Sequence, residues 1–311
     1  MSGEPAVECG RSPRFEFPIE RGKIFEFARA IHSENPAFFG ASALAPPTFL
    51  IVAGEIWGYS WERPGDSPLA ETGVNASQAL HLEETYEFYG EPLRAGDVLE
   101  GELCLFTPIE KVGRRSGRLT LHTTETTFWR PDGARAALAR QVIAQLHDAA
   151  RPEDPATDAA AGQPDPPVDR GDPGATGAST PECRRFGPLR LEDFVQYQAA
   201  SGDLNPHHYD REVLTASGFS RFFSPGMLQA GFLGGQLADI YGSENIRRIS
   251  VNFRELVYLG DVVTCRVSPP VPDAQTGAQT AEVELECVRS DGAVAITGSA
   301  VVDVAARAVT P

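Results

Sequence analysis

Asp203 and His208 stand five residues apart in the run Ser201-Gly202-Asp203-Leu204-Asn205-Pro206-His207-His208-Tyr209. A carboxylate and an imidazole at that spacing, across a stiff Asn-Pro turn, are able to hold one water molecule between them and to pass a proton to or from it. That is the equipment for adding water across a polarised double bond. The chain carries the pattern a second time, as Ser33-Glu34-Asn35-Pro36-Ala37-Phe38-Phe39, with both groups missing. One copy is equipped for chemistry, the other only for folding.

The two copies belong to a duplicated frame. Phe27 to Pro36 sets against Tyr197 to Pro206 at an offset of 170, Phe88 to Val98 against Asn252 to Val262 at 164, and Trp129 to Ala134 against Val288 to Ala293 at 159. Each copy opens with a short amphipathic helix, marked by Ile24, Phe27, Ala28 and Ile31 in one half and by Leu191, Phe194 and Val195 in the other. The Asn-Pro turn should end that helix, because the residue before proline is driven out of the helical region. A more apolar, buried helix follows, from Pro46 to Trp57 and from Gly226 to Ile240. Four strands complete each copy; in the second half they are expected at 248–253, 262–267, 281–288 and 293–304. Asp132-Gly133 and Asp291-Gly292 mark hairpins between the last two strands of each copy. A buried helix wrapped by an antiparallel sheet is an α+β architecture. Gly231, Gly234 and Gly235 in the second buried helix are read as allowing tight packing of sheet on helix.

Three segments follow: a first module at 14–148, a linker rich in Pro, Ala, Gly and Asp at 149–183, and a second module at 184–308. At 311 residues and a formal charge of -16, the chain is long enough for two cores and too acidic to favour nucleic acid or an anionic membrane. Five scattered cysteines suit a reducing, cytoplasmic setting better than a disulfide framework; Cys104, Cys265 and Cys287 read as buried and inert. Neither a signal peptide nor a membrane span is expected. His32, His81, His122 and His147 lack metal-ligand spacing, so no metal is expected.

The run from Tyr197 to His208 resembles the hydratase motif of the MaoC-like, (R)-specific enoyl-CoA hydratases and dehydratases. The first half resembles the degenerate N-terminal module of the double-hot-dog members, including Ala45-Pro46-Pro47-Thr48-Phe49 and Gly113-Arg114-Arg115-Ser116-Gly117-Arg118. The resemblance implies a double hot dog, reversible hydration of trans-2-enoyl thioesters to (R)-3-hydroxyacyl thioesters, and Asp203 and His208 as the catalytic pair. It implies no cofactor beyond the CoA or phosphopantetheine that carries the substrate. Asn205 would fix the loop or orient one of the pair. Gly226, at the start of the buried helix, would offer its free N–H to the thioester oxygen. Its counterpart in the first half is Pro47, which has no N–H. His207 occupies a position where the family usually has an aliphatic residue; it would be partly exposed or shape the pocket.

Arg114, Arg115 and Arg118 form the most basic stretch and would meet the substrate's phosphates, or else line a solvated turn. The acidity of the chain favours free CoA thioesters over an acyl carrier protein, which is itself acidic. The two modules are expected to pair as an intramolecular pseudo-dimer, with room for a homodimer. Two other readings stand beside the hydratase: a thioesterase drawing its carboxylate from Glu55 or Asp239 of the central helices, and a non-catalytic acyl-binding subunit that needs a partner.

Overall fold

A computed structural model describes residues 8–54, 79–113, 117–147, 182–272 and 279–304. Seven strands belong to the first module: β1 (Glu8–Arg11), β2 (Phe15–Pro18), β3 (Ala79–Phe88), β4 (Val98–Phe106), β5 (Ile109–Gly113), β6 (Gly117–Trp129) and β7 (Arg135–Leu146). The second contributes β8 (Cys183–Phe186), β9 (Ile246–Phe253), β10 (Val263–Val267), β11 (Val271–Pro272), β12 (Thr280–Arg289) and β13 (Val294–Asp303). All join one sheet in the order β1-β4-β6-β7-β3-β9-β13-β12-β10-β8, with β2 on β4, β5 on β6 and β11 on β12. The seam between modules is the antiparallel pair β3–β9, from Glu83 opposite Asn252 to Glu87 opposite Arg248.

Four helices are described: α1 (Arg21–Ala30), α2 (Leu191–Ser201), α3 (Arg211–Ala216) and α4 (Gly226–Tyr241). Helix α4 is buried from Met227 to Ala238 against β9, β10, β12 and β13, so the sheet wraps around it. The counterpart segment in the first module passes through a turn at 47–50 into helical backbone at 51–54, where its described part ends. The architecture is α+β, a double hot dog.

The duplication is visible in the hydrogen bonds. Arg94 N–H donates to Asp97 at 3.0 Å, and Tyr258 N–H to Asp261 at 2.9 Å. Gly96 N–H donates to the Ile19 carbonyl, and Gly260 N–H to the Leu189 carbonyl. Each Asp-Gly hairpin places its glycine at positive φ, 85° at Gly133 and 89° at Gly292. Helices α1 and α2 pack on each other through the repeat-equivalent rings of Phe27 and Tyr197, both fully buried, with centroids 5.7 Å apart.

Four expectations need correction. Val195 is exposed, so the buried face of α2 is carried by Phe194 and Tyr197. Cys104 is half-buried rather than core, whereas Cys265 and Cys287 are fully buried and burial pushes the Cys265 thiol pKa up. The glycines of α4 face the first module rather than the sheet: a Cβ on Gly231 would lie 2.4 Å from Ile31 Cγ2, and one on Gly234 would lie 3.2 Å from Thr48 Cγ2. The helix before each Asn-Pro turn ends earlier than the proline requires, at a left-handed residue: Gly202 (φ 84°) and its counterpart His32 (φ 53°). His32 holds that conformation with its ring 3.3 Å from Asp193 of the other module. Of the stretch read as a linker, 149–181 lies outside the described residues, and Cys183 opens β8.

Candidate active site

The Asn-Pro turn has the same backbone in both modules. Asn35 sits at φ -60°, ψ 116° and Asn205 at φ -57°, ψ 118°. Each amide oxygen accepts from the N–H two residues on, Ala37 at 3.0 Å and His207 at 3.1 Å. Each asparagine N–H in turn donates to the side chain two residues back, Ser33 Oγ at 3.2 Å and Asp203 Oδ1 at 3.1 Å. These are local side-chain turns that any short oxygen-bearing residue can make. Holding the loop therefore needs a hydroxyl at most, and the carboxylate of Asp203 exceeds that need.

The excess oxygen points at His208. Asp203 Oδ2 lies 3.8 Å from His208 Nε2. The other ring nitrogen, Nδ1, is 2.8 Å from the Phe223 carbonyl, which only accepts, so Nδ1 carries the proton and Nε2 presents a lone pair. His208 is buried, and burial pushes its pKa below the usual imidazole value against the opposing pull of Asp203 and the Phe223 carbonyl. The ring is thus a neutral base with a fixed tautomer. In the first module its position is Phe38, fully buried and without a polar atom to offer.

His207 is a different kind of residue, and its ring is buried rather than partly exposed. Its Nδ1 donates to Asn205 Oδ1 at 2.7 Å, so its Nε2 accepts from the Ser217 hydroxyl at 2.8 Å. The ring also stacks on Phe223, at 6.0 Å between centroids, and meets Phe219 edge-on at 5.9 Å. Both nitrogens are engaged in structure. Asn205 consequently orients His207 as well as the turn through its side chain, and its carbonyl accepts from the His208 N–H at 3.3 Å.

The partners of His207 come from a segment that sequence reasoning passed over. The turn prolines align at an offset of 170, but the bridging residues Leu44 and Phe223, which pair with Arg94 and Tyr258, align at 179. The second module therefore has nine extra residues here, carrying α3, Ser217 and Phe219. A change of offset between two matched landmarks is the signal that could have revealed it.

Gly226 is the first residue of α4, with Pro225 as its cap, so its N–H has no acceptor within the helix. The same offset of 179 sets it against Pro47. A Cβ on Gly226 would lie 2.9 Å from Phe253 Cδ1, so close approach of that ring also requires glycine.

Of the remaining candidates, Arg118 is exposed at the start of β6 in the first module, while Arg114, Arg115 and Glu55 lie outside the described residues. Asp239 is paired with Arg184 of β8, in the last turn of α4 and about 20 Å along the helix from Gly226. It is neither free nor near the pair. Among the described residues no group of His, Cys, Asp and Glu has the geometry to hold a metal ion, and no helix is long and apolar enough to cross a membrane.

Comparison with known proteins gives a consistent result. Residues 9–139 match the family model "FAS1-like, dehydratase domain region" and residues 175–289 match the "MaoC like domain". A mitochondrial 3-hydroxyacyl-[acyl-carrier-protein] dehydratase of Solanum lycopersicum is 27% identical over 109 residues, 35% of this chain and 66% of that protein. The chain thus spans just under two thirds of that relative's length. A UPF0336 protein of Streptomyces coelicolor is 33% identical over 120 residues, 35% of this chain and 73% of that protein. Among solved structures, a MaoC-like dehydratase superposes with a TM-score of 0.70 at 19% identity, covering 96% of this chain and 97% of the other.

Proposed function

We propose, for a chain that belongs to the MaoC-like dehydratase family, the reversible addition of water to trans-2-enoyl thioesters, giving (R)-3-hydroxyacyl thioesters. Asp203 and His208 hold the water, and Gly226 N–H receives the charge that develops on the thioester oxygen. The observation that carries this reading is the separation of 3.8 Å between Asp203 Oδ2 and a His208 Nε2 that has no proton of its own.

Both groups facing that gap are acceptors, so a water between them donates one hydrogen to each. As its oxygen bonds to C3, one O–H breaks and the proton passes to one member of the pair. The electrons of the double bond move toward the thioester oxygen, where a donor at a helix N-terminus lowers the barrier. The proton is then delivered to C2 from the same side, giving syn addition, and the pair returns to its starting state. Dehydration runs the same steps backwards. No cofactor enters this balance.

The carrier follows from charge. A chain of -16 repels an acidic carrier protein more than it repels a single CoA, which favours free CoA thioesters as the carrier. The test is loss of the enoyl-thioester ultraviolet band with crotonyl-CoA and longer trans-2-enoyl-CoAs, chiral analysis of the product, and a parallel assay with enoyl groups on acyl carrier protein. Release of free CoA from saturated acyl-CoA, without hydration, would instead favour a thioesterase.

A further inference from the structure

The duplication supplies an internal control for every position of the sheet. Strands β6 and β7 correspond to β12 and β13 at an offset of 159, since Phe128 pairs with Ala137 as Cys287 pairs with Ile296. On the face that packs against α4, the second module has Ala281, Val283, Ala300 and Ile249, all buried and apolar. The corresponding residues of the first module are His122, Thr124 and Gln141 at that offset, and Glu84, which pairs with Gln141 as Ile249 pairs with Ala300; the register thus sets β3 against β9 at 165, one residue from the offset of 164 that matches the turns after them. They lie on the face of the sheet that carries the core residues Phe128 and Tyr86, because side chains on a strand alternate. Glu84, Gln141 and Thr124 are direct cross-strand neighbours, and His122 is one step further along β6.

A module kept only as scaffold would be expected to retain apolar residues there, because buried polar groups cost stability unless they are paired. Glu84 is only 3% exposed, and its acid accepts from His81 Nε2 at 2.9 Å. Burial raises the Glu84 pKa against the opposing pull of hydrogen bonds with His81, Tyr86 and Gln141. His122 is 5% exposed, and neither of its ring nitrogens has a hydrogen-bond partner among the described residues. Burial likewise lowers the His122 pKa and favours the neutral ring. The result is a polar donor and acceptor set about 10 Å wide, two strand spacings across.

This set adjoins the reaction site. The His81 ring packs on Phe253 with centroids 4.7 Å apart, and Phe253 is the ring that approaches Gly226. A single aromatic side chain thus separates the Glu84–His81 pair from the start of α4.

We infer that Glu84, His122, Thr124 and Gln141 of the first module bind an uncharged oxygen function, a hydroxyl or a carbonyl, on the substrate's acyl chain beyond the reacting carbons. The inference rests on the acyl-thioester reading above. It states that the natural substrate is an oxygenated acyl chain rather than a plain alkyl chain.

The test uses the full-length protein and pairs of trans-2-enoyl-CoAs of equal length, one alkyl and one with a hydroxyl or oxo group moved along the chain from the fifth carbon outward. The expected result is a kcat/KM at least tenfold higher for one oxygenated position than for its alkyl partner. That ratio should fall to one or below in His122→Phe, and fall in Glu84→Leu. Because the ratio is taken within each variant, a general loss of folded protein does not change it. Calorimetric binding of the matching saturated acyl-CoAs gives the same comparison without turnover. If no enoyl thioester is hydrated but oxygenated chains bind preferentially and His122→Phe abolishes the preference, the recognition site stands and the hydratase reading fails. If alkyl chains match or exceed every oxygenated one in both assays, or the variants leave the preference unchanged, the inference is overturned.

Discussion

Replacing Asp203 by serine separates catalysis from folding, because the protein already contains the result. Ser33 makes the turn's hydrogen bond to Asn35 N–H at 3.2 Å, as Asp203 makes it to Asn205 N–H at 3.1 Å. Asp203→Ser should therefore keep the turn. Little else is lost from the fold, since the Asp203 side chain is 26% exposed and burial favours a neutral His208, which forms no ion pair with it. The expected change in stability is within about 0.5 kcal/mol, as for substitutions away from the core. Chemistry is another matter. The gap of 3.8 Å is beyond a direct hydrogen bond. With two contacts of about 2.8 Å, a bridging water would subtend about 85° at its oxygen, close enough to its natural angle for both to form. Serine removes the carboxylate from one side of that water. Loss of one proton-transfer group costs roughly 10²- to 10⁴-fold in kcat, or about 3–5 kcal/mol of barrier. The assay is decay of the enoyl band with crotonyl-CoA, beside urea unfolding of both proteins. Retention of more than a tenth of the wild-type kcat would make Asp203 a turn residue and refute the assignment. A large fall in the unfolding midpoint would refute the claim that the turn needs only a hydroxyl.

The acid limb of the pH profile of kcat/KM should report His208, with activity falling as Nε2 gains a proton; because burial depresses this pKa, the limb should lie below about 6.5, and a limb above that value would contradict the buried neutral base. Gly226→Ala and Gly226→Pro both add a Cβ against Phe253, but only proline removes the N–H, as Pro47 does in the first module; proline should cost a further 10²- to 10³-fold in kcat over alanine, and equal losses would leave Gly226 a packing residue. Gly231→Ala should destabilise by about 1–3 kcal/mol, because its Cβ would lie 2.4 Å from Ile31 Cγ2. Combined with Ile31→Ala it should cost less than the sum of the two single changes, and simple additivity in urea unfolding would argue against that contact.

What the sequence made legible was whatever the duplication or local geometry encodes twice. The strands of the second half were expected at 248–253, 262–267, 281–288 and 293–304 and lie at 246–253, 263–267, 280–289 and 294–303. The burial of α4 and the Asp-Gly hairpins were legible for the same reason, since each depends on residues close in sequence. The role of His207 was not legible, because adjacent histidines carry no mark of which ring is held. That is decided by Ser217 and Phe219, ten and twelve residues later, on an insertion that the short matched segments stepped over. The facing of Gly231 toward Ile31 was hidden for a related reason. A glycine announces close approach but not the approaching group, which here comes from the other module.

The asymmetry between the modules follows from which positions the fold itself constrains. The Asn-Pro turn, the Asp-capped turns after β3 and β9, and the α1–α2 contact are kept in both halves because each holds backbone that the sheet requires. Three positions are free of that duty: the second oxygen of residue 203, the ring at 208 and the N–H at 226. At the corresponding places the first half has Ser33, Phe38 and Pro47, which preserve backbone and packing but carry no carboxylate, imidazole or N–H respectively. The opposite contrast occurs on the sheet, where the first half has buried polar groups at His122, Thr124 and Glu84, with Gln141 half-buried beside them, and the second half has apolar residues at the same places. Simple decay would erase function in one direction only. Under the proposed reaction and the proposed acyl recognition, the contrast at the turn combined with the contrast on the sheet is a division of labour, with one half equipped to move protons and the other to choose what enters.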